Sequence, residues 1–420
     1  MDGTDPFFLT LESRWHWVGA LSALAVALAT AAWLLRRDAF FRKEVEAALA
    51  DPSYNTQLEG LRGLLATGVF LCHAIATRTL LTVNEWKHPP HGEILENAGT
   101  SSVMIFFFIT GYLFWSRARK GPLHPVAFLR ARVRRLVPAY LASVGAIFLI
   151  VAVLSGGTPR LPLAVLGKQV VDSLTFCLFT GYFQDLNGVP LANLIDAGVV
   201  WSLRFEWMFY ALLPAIAWAA PRWRWLWLAV GLAVFRWACP SPVLQSILDA
   251  TRFAHPYFLH GFLPGMLIAY LVELAPFQRL ARSGVGQVLP PLLAGWLTVT
   301  MHPEWDLLHS AVFGSAFALV AGGSSVFGLL KTRPLLCLGK MSYSIYLFHG
   351  IVLFLVTRTV AAFVPMRSIP MAAYWGLIAA TSVGVIAVSG CVYRYVEWPF
   401  LRKETAKRRE VLPAAVPLAK

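Results

Sequence analysis

Arg62 and His73 stand eleven residues apart in an otherwise apolar run. Eleven residues are close to three helical turns, so on a helix the two side chains lie about 20° apart in azimuth and about 16 Å apart in rise. An ionisable group deep in an apolar helix is costly and usually faces a polar cavity. An imidazole placed there suits general-base catalysis or transient acyl carriage, and the guanidinium suits an anion. A histidine that only ties its helix to a neighbour fits the same spacing.

Three further segments carry chemistry. Residues 117–135 hold seven basic side chains and end in Arg132-Val-Arg134-Arg135-Leu-Val-Pro138. Arg forks bind phosphate bidentately and keep their charge at any working pH. Arg132 and Arg135 share a helical face, and Pro138 is expected in the first turn of the helix that follows. The same charges also suit an ordinary basic loop touching anionic lipid. Next comes Trp201-Ser202-Leu-Arg204-Phe-Glu206-Trp-Met-Phe209-Tyr210, which opens an apolar run. Glu206 could orient a base or hold a polar acceptor. Trp201 could be an interfacial anchor, and Arg204 is close enough in sequence to neutralise Glu206. In the last segment Ser342, Tyr346 and His349 follow i, i+4, i+7 spacing and share one face, able to front the same cavity as His73.

The elements that position these residues are membrane helices. The chain has 420 residues, of which 57% are hydrophobic and 14% charged, against about 25% charged in soluble domains. Mean hydropathy is +0.61. The fold class expected is an all-α polytopic membrane protein. Apolar runs lie at 17–35, 62–80, 101–116, 136–155, 201–219, 224–239, 255–274, 286–300, 308–326, 341–361 and 372–392. The first follows acidic residues and precedes Arg36 and Arg37, unlike a cleavable signal peptide. A twelfth stretch, 163–182, contains Lys168, Gln169 and Asp172. If it does not cross, most of the 36 Lys and Arg residues fall on one side, as the positive-inside rule requires. The expected topology is N-out and C-in, with 163–182 re-entrant or lying at the outer surface.

The net charge of +14 is spread between apolar spans rather than gathered on one domain, which argues against a nucleic-acid partner. The five cysteines form no C-x-x-C pair and read as small buried hydrophobes; no metal site is expected.

Taken in order, these segments resemble the integral membrane acyltransferase-3 family, found largely in bacteria. The likeness covers roughly residues 55–402. It rests on Arg62 and His73, on Phe107-Phe108-Ile-Thr110-Gly111, on Arg132, Arg135 and Pro138, on Trp201 to Tyr210, on Leu338 to His349, and on Glu397 and Pro399. The resemblance implies a ten-helix acyltransferase core at 55–402. Residues 1–54 would then form an extra N-terminal transmembrane helix with its linker, and 403–420 a basic cytoplasmic tail. It implies an integral protein of the cytoplasmic membrane, in contact with its lipids. The activity implied is transfer of an acyl group, usually acetyl, from cytosolic acyl-CoA to a hydroxyl of an extracytoplasmic or lipid-linked acceptor such as a polysaccharide or lipopolysaccharide sugar. Acyl-CoA is a co-substrate, and no permanently bound cofactor is expected. His73 and Glu206 would be catalytic. Arg62, Arg132 and Arg135 would hold the acyl-CoA phosphates. Trp201, Ser202, Tyr210, Ser342, Tyr346 and His349 would form or orient the acceptor site.

A rival class is a transporter or flippase for a glycan or lipid intermediate, whose paths are also lined by intramembrane His, Glu and Arg. Transporters often carry internal repeats, and none is visible here. CoA release from acetyl-CoA by the purified protein would separate the two classes.

Overall fold

The computed structural model describes residues 11–87, 93–178, 185–219, 257–300 and 306–402. The run expected at 224–239, Cys239 and the tail 403–420 lie outside the described residues. Within them the fold is helical, with no strand beyond one isolated bridge between Leu186 and Val189. The chain is an integral membrane protein. Six described helices are long and apolar enough to cross a bilayer, and a bent pair could add a seventh.

Helix α1 (Leu11–Arg37) leads directly into α2 (Ala39–Ala50), with Asp38 capping α2 by accepting from the Phe40 amide at 2.8 Å. Helix α3 (Thr56–Val83) carries Arg62 and His73. Asn55 caps it by accepting from the Leu58 amide, and Asn84 ends it in the left-handed region at φ 62°. Helices α4 (Glu93–Lys120) and α5 (Pro125–Leu154) follow. Helix α5 begins well before the expected run at 136. Pro125 occupies its first turn, so Pro138 lies inside the helix rather than at its start. Proline at the first turn gives up only an amide that has no helical partner anyway, which is why Pro125 sets the start. Arg132 and Arg135 therefore stand on a continuous helix, not on a loop.

Helix α6 (Leu163–Leu174) has 12 residues, about 18 Å of rise against a hydrocarbon core of about 30 Å. It does not cross. The chain then runs through Phe176, Cys177, Asn187, Leu191 and Ala197, all at positive φ, before entering α7 (Val200–Ala219). A π-turn at Phe258–Phe262 opens α8 (Leu263–Leu271), which is bent by 104° from α9 (Ala275–Arg282). Helices α10 (Gly284–Thr300) and α11 (Leu307–Ala321) are shorter than a full span. The short α12 (Arg333–Lys340) precedes α13 (Ser342–Phe363) and α14 (Met371–Val392), which ends in a π-turn at Tyr393–Glu397.

Lipid tails are as apolar as leucine, so helices in a bilayer associate by close packing of small residues and by hydrogen bonds. Ala20, Ala23, Ala27 and Ala31 of α1 are buried along one stripe and lie against α14. Helix α3 sits at the centre, packed on α4, α12 and α13. It meets α12 backbone to backbone. A Cβ on Gly63 would strike the Leu335 carbonyl and the Gly339 amide, and a Cβ on Gly339 would strike the Glu59 backbone. That approach fixes where Arg62 and Glu59 stand relative to Lys340.

Of the described cysteines, Cys72, Cys177 and Cys337 are buried and Cys391 is exposed; all are free thiols.

Candidate active site

One cleft with about 840 Å³ of empty space opens between α3, α4, α5, α7 and α13. Arg62, Arg132 and Arg135 line it together with Glu206. Three guanidinium groups and one carboxylate give the lining a net positive charge, which Glu59 beside Arg62 and Glu397 near Arg135 partly offset. The positions are built by packing. Arg132 lies over the Phe114 ring at 4.6 Å and within 6.0 Å of the Phe128 and Tyr210 ring centres. The Tyr343 hydroxyl donates to the Leu136 carbonyl at 3.0 Å, tying α13 to the turn of α5 that carries Arg135. Arg62 lies 3.6 Å from Glu59.

Glu206 faces this cleft because α7 is anchored by stacked aromatics. The Phe262 ring lies 4.5 Å from Phe107 and 4.4 Å from Phe209, joining α4, the π-turn and α7. The Glu206 carboxylate accepts hydrogen bonds from the Tyr210 hydroxyl and from Thr110 Oγ1 at 3.3 Å. Arg204 does not pair with it; the Arg204 Nε is buried without a hydrogen-bond partner. Ser202 and Tyr346 also line the cleft, with Oγ and Oη 2.6 Å apart and each 3.2 Å from the Val199 carbonyl. Ser342 Oγ lines it too, buried and without a hydrogen-bond partner. Such an orphaned hydroxyl calls for a partner that the protein alone does not supply.

His73 is not among the lining residues. It meets His349, which is fully buried, with His73 Nδ1 2.8 Å from His349 Nε2 and the two rings nearly parallel. His349 Nδ1 lies 3.0 Å from the Ile345 carbonyl. A carbonyl can only accept, so His349 carries its proton on Nδ1 and accepts on Nε2. His73 must then donate from Nδ1, which leaves its Nε2 as the lone-pair nitrogen. Tyr346 faces the cleft on one side, and its ring centre is 6.2 Å from that of His349 on the other. Gly350 lets the turn at Asp196–Ala197 pack directly on α13 beside His349; a Cβ there would overlap that backbone.

Thus Arg62 lines this cleft and His73, on the same helix, does not. Trp201 also stands off the cleft, packed on Phe107, Phe205 and Tyr257.

Several neighbours escaped the reading of the sequence. Trp86 lies 5.8 Å from the His73 ring centre, brought back by the left-handed Asn84. Tyr54 donates to Glu59 at 2.8 Å, while Lys340 Nζ reaches the Tyr54 hydroxyl at 3.1 Å. Burial pulls the Lys340 ammonium below the usual lysine range, and Glu59 and Glu44 oppose that shift. Thr110 was signalled only by its place before Gly111, and Phe114 by nothing. No group of three or more His, Cys, Asp or Glu side chains able to hold a metal ion occurs among the described residues.

A family model described as an acyltransferase domain matches residues 55–394. Among curated proteins, the chain is similar to the exopolysaccharide production protein ExoZ of Rhizobium meliloti, at 27% identity over 74% of this chain and 92% of that protein. It is similar to nodulation protein 10 of Rhizobium leguminosarum bv. viciae, at 24% identity over 72% of this chain and 83% of the relative. It also matches the O-acetyltransferase OatA of Staphylococcus aureus, at 23% identity over 86% of this chain but 59% of that protein. No solved structure gives a significant match.

Proposed function

Since the chain belongs to the acyltransferase-3 family of integral membrane proteins, we propose that it moves an acyl group, by default acetyl, from cytosolic acyl-CoA to a hydroxyl of an extracytoplasmic or lipid-linked glycan. The observation that carries this reading is the convergence of Arg62, Arg132 and Arg135 on one cleft. A CoA donor presents phosphates, and forked guanidinium groups bind phosphate bidentately. The names of two relatives support the acceptor class: one concerns exopolysaccharide production, the other O-acetyl transfer.

In this mechanism the three arginines hold the phosphates at the mouth of the cleft. The pantetheine arm runs past Ser342, and Tyr346 turns aside to admit it to His73, which lies eleven residues, or about 16 Å of helix, from Arg62. His73 Nε2 takes the proton of the acceptor hydroxyl. The oxygen attacks the thioester carbonyl, a C–O bond forms, and the C–S bond breaks. The departing CoA thiolate then takes the proton from His73. His349 keeps the His73 tautomer correct throughout. Glu206, held by Tyr210 and Thr110, balances the arginine charge and keeps the cleft polar.

The test is acetyl-CoA turnover by the purified full-length chain in lipid. CoA release that depends on His73 is expected. Wild-type release by His73→Ala, with the protein correctly inserted, would overturn the assignment, and absence of any CoA release by the wild type would favour transport.

A further inference from the structure

A second cleft, with about 810 Å³ of empty space, lies where α1, α2 and α12 meet, away from the candidate active site. Arg36 from the last turn of α1, Arg42 from α2 and Arg333 from the start of α12 all line it. One carboxylate, Glu46, lines it with them. None of these four side chains makes a hydrogen bond or ion pair with a described residue, although Arg42 and Glu46 sit at i, i+4 on one helix face. Three guanidinium groups against one carboxylate leave the cleft with a net positive charge, which an anion would offset.

The position says which anion. Arg36 and Arg37 end the apolar stretch of α1, so the cleft stands at the level where the first span leaves the hydrocarbon. Trp33, 56% exposed, lies one turn earlier, at the depth where indole rings anchor in the headgroup region. Ala32 and Leu35 form the wall nearer the hydrocarbon, so the cleft is apolar on that side and basic on the other.

The helix that carries Arg42 is held in place. Helix α2 is fixed by the ion pair of Asp38 with Arg394 and by Glu44, which accepts from the Trp398 indole at 3.0 Å. Phe41 and Val45 on its inner face are buried. The fold therefore sets where the Arg42 backbone stands beside the cleft.

We propose that this cleft binds the phosphate of an anionic phospholipid, with the glycerol end against Ala32 and Leu35. Arginine forks suit phosphate, and basic pockets beside a span select anionic headgroups. A zwitterionic lipid would bring its ammonium against the same three charges.

The experiment uses the full-length protein purified with equal amounts of phosphatidylglycerol and phosphatidylcholine of identical acyl chains. Native mass spectrometry then reads which lipid is retained. Wild type is expected to retain one phosphatidylglycerol severalfold in excess of phosphatidylcholine. The triple variant R36Q/R42Q/R333Q should lose the preference, Glu46→Gln should strengthen it, and Arg279→Gln, on exposed α9, should leave it unchanged. Equal retention of the two lipids by wild type, or an unchanged preference in the triple variant, overturns the proposal. If the triple variant does not fold, Glu46→Gln decides alone: no rise in phosphatidylglycerol retention counts against it. Inorganic phosphate, added without lipid, should not raise the unfolding temperature as phosphatidylglycerol does; an equal rise would make the site one for free phosphate instead.

Discussion

His73 Nδ1 and His349 Nε2 lie 2.8 Å apart although 276 residues separate them in the chain. One imidazole thereby fixes the proton position of the other. His73→Ala should cut CoA-dependent acyl transfer by about 10²–10⁴-fold, the range typical of a positioned general base. His349→Asn should lower kcat by roughly 10²-fold while leaving KM for acyl-CoA within about twofold. That is less than the ~10⁴ lost when a serine protease loses its tautomer-fixing carboxylate. Steady-state kinetics on both variants checks this. A KM effect without a kcat effect at His349 would mean that it lines a binding site instead.

Arg132 stacks over Phe114 at 4.6 Å. A lysine keeps the charge but loses the planar stack and the fork. Arg132→Lys should therefore raise KM for acyl-CoA by about tenfold, since a lost cation–π or bidentate contact is worth roughly 1–2 kcal/mol. Arg132→Gln should raise it further. Initial rates over a range of acetyl-CoA concentrations would show it, and an unaltered KM in both variants would remove Arg132 from the donor site.

Tyr210 donates to Glu206. Tyr210→Phe leaves a buried carboxylate with only the longer bond from Thr110, at a cost of about 1–3 kcal/mol for the lost partner. A lower thermal unfolding midpoint in detergent is expected. Glu206→Gln in the same background should recover part of the loss, because it removes the buried charge. Additive destabilisation by the two changes would contradict the coupling.

Gly339 meets the Glu59 backbone where α12 crosses α3. Gly339→Val should destabilise the fold by several kcal/mol, beyond the roughly 1–3 kcal/mol of ordinary overpacking, because the obstacle is backbone. Gly145, with open space around its Cβ position, should accept alanine without loss. Yield of monodisperse protein in detergent compares the two.

The residues brought together at the cleft were legible wherever helical spacing carries them. Ser342, Tyr346 and His349 share a face by arithmetic, and Arg132 and Arg135 do too. Arg62 and His73 show the limit of that arithmetic. Their azimuth follows from spacing, but Tyr346 and His349, from a helix far along the chain, decide that the cleft includes one and not the other. Pro138 illustrates a second limit. A proline reads equally well as a helix start or as an interior kink, and Pro125, thirteen residues earlier, settled the matter. The pair of Tyr54 with Lys340 spans 286 residues, so no local pattern could show it. The π-turn at Phe258–Phe262 and the 104° bend after α8 interrupt an apolar run that looks uniform by composition. The topology expected from charge asymmetry concerns which side of the bilayer each loop faces, a property set by insertion and not by helix packing.

Asp38 and Arg394 form an ion pair across 356 residues, and Glu44 reaches the Trp398 indole nearby. Helix α1 lies along α14 over much of its length. The ribosome makes α1 long before α14. Until Met371–Val392 emerges, α1 has no final partner, and its alanine stripe faces lipid or a translocation factor. Truncation just before Met371 would leave an inserted but unlatched first helix, and that exposed stripe is where a membrane quality-control protease would find it.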